Sequence, residues 1–127
     1  EYENNYYSTY ILSNEVFCLL QELKAPVITQ LIPDINAVYQ SEDINKIEFY
    51  INDGLSGINN IKNISLSIDE QPVLFEYNSY QKKVFYNFED ELEIGKHLLY
   101  ISVKDNVGNL VTKKGAFTIK WKIKLLL

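Results

Sequence analysis

The chain has 127 residues, of which 46% are hydrophobic and 23% are charged, and its formal net charge is −5. This composition predicts one globular domain and excludes a disordered chain. The negative charge argues against a nucleic-acid or anionic-membrane partner, because either would require a basic face. No apolar run is long enough to predict a membrane span.

The first segment, residues 1–24, is predicted to be an N-terminal extension or the end of a preceding module. Its stretch "SNEVFCLLQEL" has helical spacing of apolar residues, yet it is also rich in strand-forming residues, so helix and strand both stay open. Pro26 interrupts either pattern and marks the entry to the next unit. An opening without Met or a signal sequence suggests a fragment of a longer protein.

Residues 25–127 are predicted to form one β-sandwich, because short alternating runs are separated by turn residues every 8 to 15 positions. The run "KIEFYIN" alternates Ile47, Phe49 and Ile51 with polar neighbours, and "AFTIKWKI" places Phe117, Ile119 and Trp121 on one side. The predicted fold class is therefore all-β, a seven-stranded antiparallel β-sandwich with an N-terminal extension. The seven strands are "VITQLI", "KIEFYIN", "ISLSID", "VLFEY", "KVFYNF", "HLLYISV" and "AFTIKWKI".

Two turns, "DGLSG" and "DNVGN", follow the second and sixth predicted strands, which run in the same direction. These turns should therefore lie at the same end of the sandwich, near the linker that contains Glu22. Asp and Asn are favoured in turns because their side chains form hydrogen bonds with nearby backbone amides. A structural role as turn caps is therefore the preferred interpretation of these residues. Oxygen ligands on converging loops also suit Ca²⁺. The candidate calcium ligands on the two turns are Asp53, Asp105, Asn106 and Asn109.

The other reactive residues give weak signals. His97 and Cys18 are the only residues of their types, which excludes an internal disulfide and a usual zinc site. Each is interpreted as a packed structural residue. The acidic run of residues 89–93 is interpreted as a solvated loop rather than a glycosidase pair, and most of the ten tyrosines as sheet-face residues rather than a sugar platform.

Five segments in a fixed order resemble bacterial immunoglobulin-like domains of the fibronectin-III-like kind. They are "APVITQLIP", "INDGLSGINNI", "LSIDEQPVLFEYN", "LEIGKHLLYISVKDNVGN" and "AFTIKW". Within that family, "IDEQPVLFEYN" most resembles the accessory domain that follows lysostaphin-type zinc endopeptidases. The resemblance implies a periplasmic, cell-envelope or extracellular location, although this chain lacks the metal motifs of the peptidase itself.

The expected function is a non-enzymatic accessory or spacer module of a bacterial exported protein, attached to a cell-wall peptidase. The alternative is a carbohydrate-binding or adhesion module, and a small hydrolase ranks last. No cofactor is expected apart from the calcium considered above. The expected partners are a neighbouring domain of the same chain and cell-wall glycan, with no nucleic acid.

Overall fold

The computed structural model describes residues 2–3, 6–7, 23–54, 57–58 and 60–121. Within these residues the secondary structure is all β, apart from two single-turn 3₁₀ helices at Ser41–Asp43 and Ile61–Asn63. The predicted all-β sandwich is confirmed. Within the same residues, no helix is long and apolar enough to cross a membrane.

Two sheets form the sandwich, and a separate two-stranded pair joins β1 (Tyr2–Glu3) to β2 (Tyr6–Tyr7). The first sheet has the order β4-β11-β10-β6-β7 and the second has the order β3-β5-β9-β8. The five-stranded sheet contains β4 (Val38–Gln40), β6 (Ile64–Ile68), β7 (Gln71–Pro72), β10 (Gly95–Lys104) and β11 (Leu110–Lys120). The four-stranded sheet contains β3 (Val27–Ile32), β5 (Lys46–Asn52), β8 (Glu76–Asn78) and β9 (Lys83–Asn87).

The core lies between the two sheets because every second residue of each long strand points inward. On β5 the inward residues Ile47, Phe49 and Ile51 are buried, as are Leu99, Ile101 and Val103 on β10. Removing these branched and aromatic side chains from water is the main contribution that holds the sheets together.

The structure differs from the sequence prediction at several places. Strand β4 was not predicted, and it pairs in parallel with β11, so the sandwich is not wholly antiparallel. The run "VLFEY" forms a strand only from Glu76, and Leu74 is almost fully exposed. Trp121 lies just beyond the end of β11 and is 75% exposed, instead of pointing inward.

The proposed boundary at residue 25 stays a prediction. Strand β3 begins at Val27, whereas residues 8–22, which hold most of the predicted extension, lie outside the described residues. The open choice between helix and strand for that segment falls there too.

Candidate functional site

The sole histidine lies at one end of the sandwich, where three chain segments meet. His97 is on β10 with its side chain turned inward, and it is 8% exposed. The turn between β6 and β7 contributes Asp69, and the loop between β9 and β10 contributes Glu93. The imidazole ring thus meets one partner from a distant turn, Asp69, and one from the loop just before its own strand, Glu93.

Both ring nitrogens of His97 face hydrogen-bond acceptors. Nδ1 lies 2.6 Å from Oδ2 of Asp69, and Nε2 lies 2.7 Å from the backbone oxygen of Glu93. A carbonyl oxygen only accepts, and so does an ionised carboxylate, so both nitrogens must carry a proton. The geometry therefore favours the imidazolium form of His97.

The pKa of His97 is raised above its usual value for the same reason. Burial alone would lower this pKa, because it disfavours the charged ring. Together, the hydrogen bonds to the Glu93 carbonyl and the Asp69 carboxylate and the negative charge of both side chains outweigh burial. The protonated ring is thus stabilised at neutral pH.

Packing fixes the plane of the ring. His97 pairs in register with Phe117 of β11, and the two rings stack with centroids 5.6 Å apart and planes at 26°. A cation over an aromatic face gains further electrostatic attraction. The sheet therefore fixes the orientation of the imidazole ring.

Asp69 is held in an unusual backbone conformation. Asp69 has a φ of 50° and Glu70 has a φ of 67°, in a tight turn where Asn-Gly is the preferred pair. Left-handed backbone costs about 1 kcal/mol at residues other than glycine. The Asp69 side chain compensates, because Oδ1 accepts the N–H of Leu98 at 2.8 Å while Oδ2 binds His97. The strained turn thus places the Asp69 carboxylate within hydrogen-bonding distance of His97.

An open depression of about 380 Å³ borders the ring. Its floor includes Tyr86 and Phe88, whose rings meet edge to face at 5.6 Å. Its acidic lining consists of Asp69, Glu89, Asp90, Glu91 and Glu93. The acidic run predicted as a solvated loop therefore surrounds the only histidine, and the depression attracts cations.

The two turns predicted to meet do so at the opposite end. The N–H of Asn106 donates to the backbone oxygen of Gly57 at 3.2 Å, and Oδ2 of Asp53 accepts the N–H of Gly57 at 2.6 Å. Asp105 is buried, and its oxygens accept from Val107 N, Asn109 N and Asn109 Nδ2 at 2.8 to 3.0 Å.

These bonds give Asp105 the role of a turn cap. Burial alone raises the pKa of its carboxyl, but the hydrogen bonds from Asn109, Val107 and Gly108 hold the pKa below its usual value. Calcium binding by Asp53, Asp105, Asn106 and Asn109 stays a prediction, and Glu22 lies outside the described residues.

Across the described ranges, no three His, Cys, Asp or Glu side chains are arranged to hold a metal ion. The chain has no methionine, and Cys18 falls in the undescribed segment. A preformed metal centre is therefore absent from the described part of the sandwich.

No family model and no curated protein matches this chain. Solved structures do match. CopC from Methylosinus trichosporium OB3b is 17% identical with a TM-score of 0.59, and the alignment covers 80% of this chain and 99% of CopC. PcoC, a methionine-rich copper resistance protein from Escherichia coli, is 13% identical with a TM-score of 0.58, over 76% of this chain and 100% of PcoC.

A third match is SGBP-B of the Bacteroides ovatus mixed-linkage glucan utilization locus, solved in complex with a mixed-linkage heptasaccharide. It is 20% identical with a TM-score of 0.52, and the alignment covers 81% of this chain but only 26% of that protein. At these identities the likeness is one of fold, and it supports the immunoglobulin-like sandwich that the sequence predicted. No link to lysostaphin-type peptidases is shown by these matches.

Two predictions are corrected by these matches. The function as an accessory module beside a cell-wall peptidase is wrong, since CopC and the copper resistance protein PcoC are matched over nearly their whole length. The expectation of no cofactor beyond calcium is overturned by the same finding. The sequence motifs of turns and strand entries are shared by many sandwiches, so they indicate the fold but not the partner.

Sequence reasoning found His97 but missed both of its partners. Asp69 lies 28 residues away, at the end of the predicted strand "ISLSID", and no role was predicted for it. Glu93 contributes a backbone oxygen, which no side-chain pattern reveals. The available signal was the pair Asp69-Glu70 in a tight turn where glycine is expected, since such a pair indicates a side chain held for a purpose.

Proposed function

We propose that this chain is a non-catalytic, copper-handling module of an exported bacterial protein, with Cu²⁺ as its cargo. The observation that carries the proposal is the alignment over 99% of CopC and 100% of PcoC, because those proteins consist of this sandwich and little else. The position of the only histidine in an acidic depression supports it independently.

The ligand inventory favours Cu²⁺ over Cu⁺. Cu⁺ prefers thiolate and thioether ligands, whereas Cu²⁺ accepts imidazole nitrogen and carboxylate oxygen. This chain has no Met and a single Cys, in contrast to the methionine-rich PcoC. The depression offers one imidazole and several carboxylates, which is the donor set that Cu²⁺ takes.

Capture of Cu²⁺ must displace a proton. In the structure Nε2 of His97 donates to the Glu93 carbonyl, so its lone pair is occupied by a proton. When that proton leaves to solvent, the lone pair can bind Cu²⁺, while the Nδ1–H to Asp69 bond keeps the ring oriented. The Glu93 carbonyl then has no donor from the ring, and the carboxylates of residues 89–91, which line the same depression, would have to move toward the ion to complete its shell.

This order of events predicts an affinity that rises with pH, because protons and Cu²⁺ compete for the same nitrogen. It also predicts loose, releasable binding, since the described residues contain no preformed centre. Releasable binding suits a protein that passes a metal ion to a partner.

The test is a calorimetric titration of the full chain with Cu²⁺ at about pH 6 and about pH 8, near and above the usual histidine pKa. We expect tighter binding at the higher pH, and loss of at least tenfold in affinity for His97→Gln. Glu91→Gln weakens binding, whereas the matched control Glu76→Gln on β8 leaves it unchanged.

Cys18→Ser is the second control, because a thiolate elsewhere in the chain could also bind copper. Copper binding that survives His97→Gln and disappears in Cys18→Ser would reject the site. Absence of Cu²⁺ binding at both pH values would reject the function.

A further inference from the structure

The outward face of the five-stranded sheet is basic, although the protein as a whole is acidic. Four lysines project from adjacent strands, Lys96 and Lys104 from β10 and Lys114 and Lys120 from β11. The outward positions of β4, β6, β10 and β11 hold no Asp or Glu, although the chain has 17 acidic residues. We call this surface the basic face.

Apolar side chains lie between these lysines. Tyr100 pairs with Lys114, and Leu98 pairs with Ala116 one step along the same two strands. The exposed apolar residues of the basic face, each 37 to 54% exposed, are Val38, Leu98, Tyr100 and Leu110. The face is therefore amphiphilic, with cationic and apolar groups side by side.

The lysines are too widely spread to meet at one small anion. From Leu110 to Lys120, strand β11 extends about 33 Å at about 3.3 Å per residue, and the four strands are about 4.8 Å apart. The partner must therefore present negative charge over an area of this size.

On the opposite sheet, two outward lysines form ion pairs with a carboxylate. On its outer face, Lys46 and Lys83 lie 3.0 and 3.3 Å from the same carboxylate, that of Glu48. At the border of the basic face, the Asp69 carboxylate is bound to His97. The net charge of −5 therefore conceals a separate positive surface, so it does not exclude contact between this face and an anionic membrane.

We propose that the basic face docks on the surface of an anionic lipid bilayer. Lysine ammonium groups bind lipid phosphates, while Val38, Leu98 and Tyr100 reach the boundary between head groups and acyl chains. A soluble polyanion would bind the lysines but would gain nothing from the apolar side chains. The acidic remainder of the protein is repelled by the same lipids, so only this face is turned toward the bilayer.

The test is sedimentation of the full chain with vesicles of phosphatidylcholine mixed with phosphatidylglycerol, against vesicles of phosphatidylcholine alone, at about 0.1 M salt. We expect binding to the anionic vesicles only, and release at high salt. The triple variant Lys96→Gln/Lys104→Gln/Lys114→Gln should bind about a hundredfold more weakly, at roughly fivefold per lysine.

The matched control is Lys24→Gln/Lys62→Gln/Lys82→Gln, whose three lysines are exposed but lie outside the basic face. Each triple variant loses three positive charges from a net charge of −5, so both reach −8. Circular dichroism checks that both variants fold. The release of the unmodified chain from vesicles at high salt is a separate test that does not depend on the folding of any variant.

Three results would overturn the proposal. The first is no binding to the anionic vesicles. The second is an equal loss of binding in the two triple variants, because that would reflect net charge rather than the face. The third is full competition by soluble polyglutamate together with unchanged vesicle binding by Leu98→Ser, because the partner would then be a polyanion.

Discussion

Replacing His97 by glutamine tests the imidazolium directly. The variant replaces two opposed ring donors, to the Asp69 carboxylate at 2.6 Å and to the Glu93 carbonyl at 2.7 Å, by one neutral amide group that cannot reproduce both. Hydrogen bonds that involve a charged group contribute about 1.5 to 3 kcal/mol each. The Asp69 side chain is 47% exposed, so water replaces part of its bond, and we expect a total loss of about 2 kcal/mol.

The loss should depend on pH with a defined sign. The folded-state pKa of His97 is raised above 6.5, so the protonated ring stabilises the fold fully below about pH 6.5. This contribution disappears as the pH rises through the folded pKa, because a neutral ring has one N–H for two acceptors. The difference between the unmodified chain and His97→Gln is therefore largest near pH 6 and small near pH 9.

Thermal unfolding followed by circular dichroism measures this difference. A loss of about 2 kcal/mol corresponds to a Tm lower by about 8 °C for a domain of this size. Asp69→Asn serves as a second variant, and by removing the anionic acceptor it should lower the pKa of His97 measured by NMR titration. A Tm difference that is constant with pH, or that grows toward pH 9, would refute the imidazolium assignment.

Three further predictions concern the backbone and the opposite end of the sandwich. Glu70→Gly should raise the free energy of unfolding by up to about 1 kcal/mol in urea denaturation, because the φ of 67° suits glycine; a loss of stability would contradict the strain. Gly115→Ala should lower the free energy of unfolding by about 1 to 3 kcal/mol, because its methyl group would overlap Ile35. In a double-mutant cycle, Ile35→Ala should reduce this loss. If the losses from the two substitutions simply add, the two side chains are not in contact. Asp105→Asn should lower the Tm near pH 7 and have little effect at acid pH. The ionised Asp105 carboxylate stabilises the fold above the pKa of the unfolded chain, and this stabilisation is lost as the pH falls through the lowered pKa of the folded state. An equal effect at both pH values would reject the turn-cap role.

The strands of the fold could be predicted because the alternation of one strand is local. Ile47, Phe49 and Ile51 alternate with polar residues, and the structure buries all three. Strand β4 escaped prediction because three residues are too few to show a period, and its pairing with β11 depends on residues 80 positions away. Sheet order is a property of such distant pairings.

The site could be predicted only in part for the same reason. A lone histidine has no local signature, and its function here depends on a carboxylate from another turn and on a backbone oxygen. The basic face likewise needs the pairing of β10 with β11, which brings lysines from two separate runs together. Net charge and composition average over this arrangement and therefore conceal it.

The most direct test of copper handling is the electron paramagnetic resonance spectrum of the full chain with one equivalent of Cu²⁺ at about pH 8, above the usual histidine pKa. The proposed site predicts coupling to one imidazole nitrogen that is absent in His97→Gln, because the chain has no second histidine. An identical spectrum in the two proteins would show that Cu²⁺ binds elsewhere and would contradict the proposed site.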